Sequence, residues 1–190
     1  VTVNCWPYMF TEIGSTPCLA MMRFNDEGVP AICEADFPAL SSFLTLRYLS
    51  NKAVFLADVV PHPGRNTLIL GHCTAPTKLN GLSEKPEPYI ATTHHETELA
   101  AAPQVLFSVG KEVTITGLSH DLRKMLITKG NIMENTNLPI CRSQLEVKVK
   151  DARKLLDEYV GFHWTMVYGD YVDEVRRFCE VTDIEPIIVD

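Results

Sequence analysis

Long apolar stretches are missing from this 190-residue chain. No run approaches the roughly 20 residues that cross a bilayer as a helix. The longest, such as Ala53–Leu56 and Thr67–Leu70, have the length of strands, so no membrane partner is expected. Basic residues are scarce too. With 17 Lys+Arg against 24 Asp+Glu the net charge is −7. No basic stretch is dense enough to neutralise several phosphates, which argues against nucleic acid as a partner. The six cysteines, at positions 5, 18, 33, 73, 141 and 179, show no CxxC or paired spacing. Neither a zinc ribbon nor a disulfide framework is supported; reduced, mostly buried thiols in a cytoplasmic protein are expected. Walker-type loops, Gly-rich dinucleotide fingerprints and GxSxG are absent, which disfavours nucleotide-driven chemistry and serine hydrolysis. A helix-borne His pair is lacking as well, placing a zinc hydrolase last. There is no internal repeat or low-complexity tract, and the amino end does not read as a secretory signal. The opening Val1-Thr-Val-Asn-Cys-Trp6 resembles a strand in mid-fold, so the expectation is a carboxyl-terminal portion of a longer protein.

What is present supports a substantial core, since 46% of residues are hydrophobic. Residues 1–60 alternate between strand and helix. Ser15-Thr16-Pro17 starts a helix running to about Asn25 and ended by Gly28, and Val29–Cys33 follows as a strand. Asp36 caps a second helix with Phe37, Leu40, Phe43, Leu44 and Leu49 along one face, and Ala53–Ala57 is the next strand. This is βαβ grammar and implies a parallel sheet. After Pro61-His62-Pro63-Gly64 the texture changes to short strands: Thr67–Leu70, Tyr89–Thr93, Val105–Val109, Glu112–Thr116, Lys124–Thr128 and Gln144–Val149. Gly110-Lys111 is expected to form a hairpin and Lys129-Gly130-Asn131 a turn, with Thr74–Pro88 an exposed loop. Such spacing favours a small antiparallel barrel. Helices around Ala152–Tyr159 and from Asp170, with strands Trp164–Tyr168 and Ile187–Val189, complete an α/β tail. The expected fold is therefore α/β followed by mainly β, with residues 1–60 one unit and 61–190 another.

Two acids stand where apolar strands meet loops. Glu34 closes Val29-Pro-Ala-Ile-Cys-Glu34, and Asp58 closes Ala53-Val-Phe-Leu-Ala-Asp58. A carboxylate there needs a cation, a hydrogen-bond network or water. Ligands of open α/β sheets bind at the carboxyl ends of strands. Two neighbouring carboxylates repel unless a divalent cation neutralises them or one is protonated. With His163 they would make an O/O/N set suited to Mn²⁺, Mg²⁺ or Co²⁺. The other reading has each acid capping a helix or pairing with Lys or Arg. His72 also ends a strand, and is either a loop residue or a ligand. Of His94-His95 at most one can face a site, and both read as surface or outside the ligand set. His62 and His120 lie in turns and receive no role.

These residues resemble the carboxyl-terminal half of the L-fucose isomerase and L-arabinose isomerase family of metal-dependent aldose–ketose isomerases. The matching stretches are Cys5-Trp-Pro7, Pro17-Cys-Leu-Ala20, Asn25 through Asp36, Val54 through Asp58, Gly71-His-Cys73 with Ala75-Pro76, and Gly161-Phe-His-Trp164 through Asp170. The most specific elements are Glu-Gly-x-Pro-x-x-x-Glu-x-Asp and its 24-residue interval from Glu34 to Asp58. The resemblance implies the end of a middle α/β domain and a small Greek-key barrel domain with flanking helices. Glu34, Asp58 and His163 would hold Mn²⁺ or a similar cation, with Glu34 and Asp58 catalytic. His72 matches a ligand of the arabinose branch. Trp6, His72 and Phe162 would line the substrate. Phe162 stands where fucose isomerases commonly carry an asparagine. A sugar substrate and a homo-oligomer, hexameric in the family, are implied as partners. The alternative is a carbohydrate-binding or assembly domain inactive without an amino-terminal half.

Overall fold

The computed structural model describes residues 1–5 and 12–190. A closed antiparallel barrel of six strands forms its centre. Its members are β3 (Phe55–His62), β4 (Thr67–His72), β7 (Glu112–Leu118), β8 (Lys124–Asn135), β9 (Ser143–Val149) and β10 (Trp164–Tyr168). The order around the ring is β8-β7-β10-β3-β4-β9, and β9 returns to β8. Strands that follow one another in the chain are thus not always neighbours, as in a Greek key. β11 (Glu185–Val189) adds to β8 in parallel. Two small sheets accompany the barrel: a parallel pair of β1 (Thr2–Val3) and β2 (Ile32–Cys33), and an antiparallel pair of β5 (Tyr89–Thr92) and β6 (Ala102–Val105).

Side-chain alternation along the strands divides the core in two. Phe55, Ala57, Leu68, Leu70, Ile115, Leu145, Val147, Trp164 and Met166 fill the barrel interior. Leu56, Ile127 and Val167 point outward, where Phe43 and Leu46 of α2 (Phe37–Ser50) and Val175 and Cys179 of α4 (Val172–Thr182) cover them. The buried residues of α2 are Ala39, Ser42, Phe43, Thr45 and Leu46, whereas Phe37 and Leu49 are exposed. A count of apolar residues missed this face because a hydroxyl lies at its centre. Ser42 Oγ is 2.7 Å from Thr116 Oγ1 and 3.0 Å from Thr165 Oγ1, and the two threonines are 2.8 Å apart. This buried trio fixes α2 to β7 and β10, because each hydroxyl both donates and accepts.

Several elements differ from the expectation. The strand expected to stop at Ala57 continues to His62, so Asp58 sits within β3 rather than at its end. β10 pairs only with Phe55 through Ala57, leaving one edge of β3 open at Pro61, where a residue without an N–H is tolerated. β3 is antiparallel to both neighbours, so within residues 1–60 parallel pairing is limited to β1 and β2, joined through α1 (Cys18–Asp26). Trp164–Tyr168 is a barrel strand, not part of a separate tail. The run expected at Val105–Val109 ends at Val105 and pairs with β5, so Gly110-Lys111 does not join a hairpin of consecutive paired strands. Thr74 through Thr77 and Leu79 are buried, so only the later part of the expected exposed loop is exposed.

Lys129-Gly130-Asn131 is no turn but the middle of β8, where the strand leaves β7 for β9. Glycine is required there by close approach: a Cβ on Gly130 would collide with the Lys148 carbonyl oxygen and Val147 Cγ1. Gly130→Ala should therefore destabilise the protein by about 1–3 kcal/mol, as overpacking does, read as a lower urea midpoint with an unchanged slope.

Candidate metal centre

The barrel register creates the site. Trp164 pairs with Ala57, so His163, one residue before β10, falls beside Asp58, one residue after the last pair. Both continue the outward-facing sets of their strands, Asp58 after Leu56 and His163 before Thr165. Asp58 is opposite Gly71 on β4, and His72 is the next and last residue of that strand. Glu34 arrives from outside the barrel, directly after β2. It and Ala35 adopt positive φ of 62° and 54°, a conformation disfavoured for residues with a Cβ. Two such residues in succession turn the chain from β2 into α2, and strain of this kind clusters where a side chain must be aimed.

Four side chains converge. Glu34 Oε1 is 3.7 Å from His72 Nε2, Glu34 Oε2 is 3.6 Å from His163 Nε2, and Asp58 Oδ1 is 3.6 Å from His163 Nε2. Both imidazoles are buried, at 3% and 1% exposure, and neither Nε2 has a hydrogen-bond partner. Their other nitrogens are held: His72 Nδ1 is 2.8 Å from Thr74 Oγ1, and His163 Nδ1 is 3.0 Å from Asp36 Oδ2. An ionised carboxylate only accepts, so Nδ1 of His163 donates to Asp36 and Nε2 presents its lone pair to Glu34 and Asp58. Asp36 also caps α2, its Oδ1 accepting from Ala39 N–H at 3.0 Å. The sequence assigned Asp36 the cap alone, because nothing local reveals a partner 127 residues away.

The donors fit a divalent cation. Two ligands about 2.0–2.2 Å from one ion are about 3–4 Å apart, and the spacings here are 3.6 and 3.7 Å. Ligand atoms of Glu34, His72 and His163 all lie within 4.8 Å of one another. Buried nitrogens without partners are costly unless something occupies the space between them. A mixed set of imidazole nitrogen and carboxylate oxygen is consistent with a divalent metal.

A cavity of about 290 Å³ opens beside these donors. Phe162, 59% exposed, sits on its rim and meets the His163 ring edge to face at 4.7 Å. Asp58 and Cys141 also border a second cleft of about 610 Å³, so the cavity extends past the carboxylate. His94 is buried and hydrogen-bonded to Cys73 in the cavity wall, outside the ligand set, which is one of the two places expected for it; His95 lines the second cleft. Trp6 lies outside the described residues. All six cysteines are free thiols, five of them buried.

No protein-family model matches the chain. Its curated relatives are sugar isomerases, and the chain's sequence is similar to theirs, which supports an aldose–ketose isomerase class. In particular, the chain is 27% identical over 194 residues to the sulfoquinovose isomerase of Priestia megaterium, covering 97% of this chain and 43% of that protein. It is 25% identical over 187 residues to the sulfoquinovose isomerase of Alkalicoccus urumqiensis, covering 93% and 41%. The chain thus spans less than half the length of these relatives.

Charge within the cluster is coupled. The His72 imidazole beside it outweighs burial and holds Glu34 below the usual carboxylate range, with His163 adding to it. Burial opposes the imidazolium of His72, yet Glu34 and Asp58 raise its pKa overall. For Asp36 burial is opposed by His163 and the Ala39 N–H, and the net shift is downward. The lowered Glu34 stabilises the fold above its ordinary value of 4.5, and the raised His72 stabilises it below 6.5. Glu34's contribution is lost as pH falls through its folded pKa, and that of His72 as pH rises through its own. In metal-free protein the melting temperature should therefore decline on the alkaline side of the ordinary histidine range, and Glu34→Gln should flatten that decline.

Asp36→Asn gives a second test. Asparagine keeps the oxygen that caps α2 but turns an amide donor toward Nδ1, which forces the His163 proton onto Nε2. Metal-free stability should change little, while Mn²⁺ affinity, read from the thermal shift, should fall about 10–100-fold. Asp36→Ala should add the loss of the cap, about 0.5–2 kcal/mol.

Proposed function

We propose that this chain carries the metal-binding and proton-transfer part of an aldose–ketose isomerase of the fucose and arabinose isomerase type. The convergence of Glu34, Asp58, His72 and His163, with two buried imidazole nitrogens lacking partners, carries this reading. The names of the relatives support sugar isomerisation at the coarser level. Glu34, Asp58 and His163, with His72 as a fourth donor, would hold the cation, Mn²⁺ by preference. When bound, it supplies a Lewis acid for adjacent sugar oxygens, which makes the hydrogen on C2 more acidic.

The chain's own groups do the rest. One carboxylate takes the proton from C2 and returns it to C1, and the other serves the hydroxyl proton, exchanging roles with the direction of reaction. Asp36, accepting from Nδ1, keeps Nε2 of His163 pointed inward. Phe162, His72 and, by the resemblance, Trp6 would wall the sugar. A cytoplasmic setting fits the free thiols, and a homo-oligomer, hexameric as the resemblance implies, would complete the site.

A second reading, a sugar-binding or assembly domain without turnover, is favoured by the chain's covering only 43% of the Priestia protein. Metal binding separates the two readings. At a hundredfold excess over its dissociation constant, Mn²⁺ should stabilise the protein by about 2.7 kcal/mol, and Glu34→Gln should abolish the effect. For turnover, the protein at the length of its relatives is assayed with and without Mn²⁺ on L-fucose, L-arabinose, other pentoses and 6-deoxyhexoses, and sulfoquinovose. Conversion of at least one sugar is expected, with Glu34→Gln and Asp58→Asn each slower by about 10²–10⁴-fold. Near-normal rates in both variants would refute the proton-transfer roles.

A further inference from the structure

Five of the six cysteines line the candidate cavity, and two of them touch. Cys5 Sγ and Cys33 Sγ are 3.0 Å apart, each side chain 3% exposed. The parallel pairing of Val3 with Cys33 brings them together: Cys33 ends β2, and Cys5 lies two residues past Val3. Cys33 is bonded directly to Glu34, at the start of the two-residue left-handed turn that aims the carboxylate. The cavity reaches solvent past the half-exposed Glu34 and past Phe162, so a small solute can enter it.

We propose that Cys5 and Cys33 form an oxidisable thiol pair, which a hydroperoxide entering the cavity closes to a disulfide that displaces the Glu34 turn. With hydrogen peroxide, one sulfur attacks the O–O bond to give a sulfenic acid and one water. The second sulfur then displaces the sulfenic oxygen, which leaves as water as the S–S bond forms. Two thiols lose two electrons and two protons, and one peroxide becomes two waters. Bonding distance is about 2.05 Å, so the sulfurs must approach by about 1 Å. The Glu34 and Ala35 backbone, already in a disfavoured conformation, has little freedom to absorb that movement without re-aiming the carboxylate. A thiol pair in the wall of the cavity thereby couples the redox state to the metal donors. This coupling, unlike the crosslink, rests on the proposed function.

The test treats the reduced protein with hydrogen peroxide, blocks remaining thiols, and maps crosslinks by mass spectrometry before and after dithiothreitol. A Cys5–Cys33 crosslink reversed by the reductant is expected, with four thiols still open to alkylation. Mn²⁺ affinity should fall about 10–100-fold in the oxidised form and recover on reduction. Cys5→Ser, with Cys5→Ala as a second variant should serine disturb the packing, should form no such crosslink and keep its Mn²⁺ response after peroxide. Six alkylatable thiols, or a crosslink at Cys73–Cys141 instead, would overturn the assignment. A Cys5–Cys33 crosslink with undiminished Mn²⁺ affinity would overturn the coupling. The crosslink is read without metal, so reduced protein that ignores Mn²⁺ counts against the isomerase reading alone.

Discussion

One carboxylate joins the two halves of this structure. Asp36 accepts from the Ala39 N–H with one oxygen and from His163 with the other. The first contact starts α2; the second binds that helix to the strand that begins at Trp164. An imidazole at 1% exposure has few ways to satisfy Nδ1, and a carboxylate that is also a helix cap cannot swing away without releasing the helix. The cap therefore makes the histidine's tautomer and direction a property of the fold. Everything the candidate centre can do follows from Nε2 facing Glu34 and Asp58.

The barrel supplies the remaining rigidity. Three neighbouring strands, β10, β3 and β4, bring His163, Asp58 and His72 to one place through register alone. Glu34 belongs to none of them, and reaches the others because α2 is locked onto the barrel by the Ser42, Thr116 and Thr165 hydroxyls. A slip of one residue in the β10–β3 pairing would turn His163 to the opposite face. The donors thus depend on hydrogen bonds well away from them, and the strained turn at Glu34 and Ala35 is held by its surroundings on both sides.

The relatives and the geometry point the same way from independent directions. Sugar isomerases resemble the chain along nearly its whole length. The structure, read without them, shows an oxygen–nitrogen donor cluster beside a small cavity. Moving a proton between adjacent carbons needs paired acid–base groups and a means of stabilising negative charge on oxygen. Under the proposed function, the carboxylates at 3.6 Å from a shared imidazole nitrogen would meet the first need, and a cation held by the donor set would meet the second. The cavity's thiol lining is a further property of the same wall.

Much of the chain was legible in one dimension. Pro17 opens α1, Gly28 follows it, Asp36 caps α2, and the short apolar runs of β4, β7 and β9 between turns mark them as strands, because caps, turns and strand-length runs are local physics. Glu34 and His72 stand out in sequence as polar residues after apolar strands. Other signals misled for equally physical reasons. Gly130 looks like a turn but marks a close approach between strands, and the apolar face read for α2 leaves out Ser42, which is buried against two threonines. Pro61 suggested a boundary, yet it occupies an open strand edge. The sequence by itself determined where most strands and helices lie and which residues bear charge. Only the tertiary structure decided that β3 belongs to the barrel, that Asp36 reaches His163, and that Cys5 meets Cys33. Those contacts join positions far apart along the chain, and no local preference encodes them; they exist only once the barrel closes and α2 is docked against it.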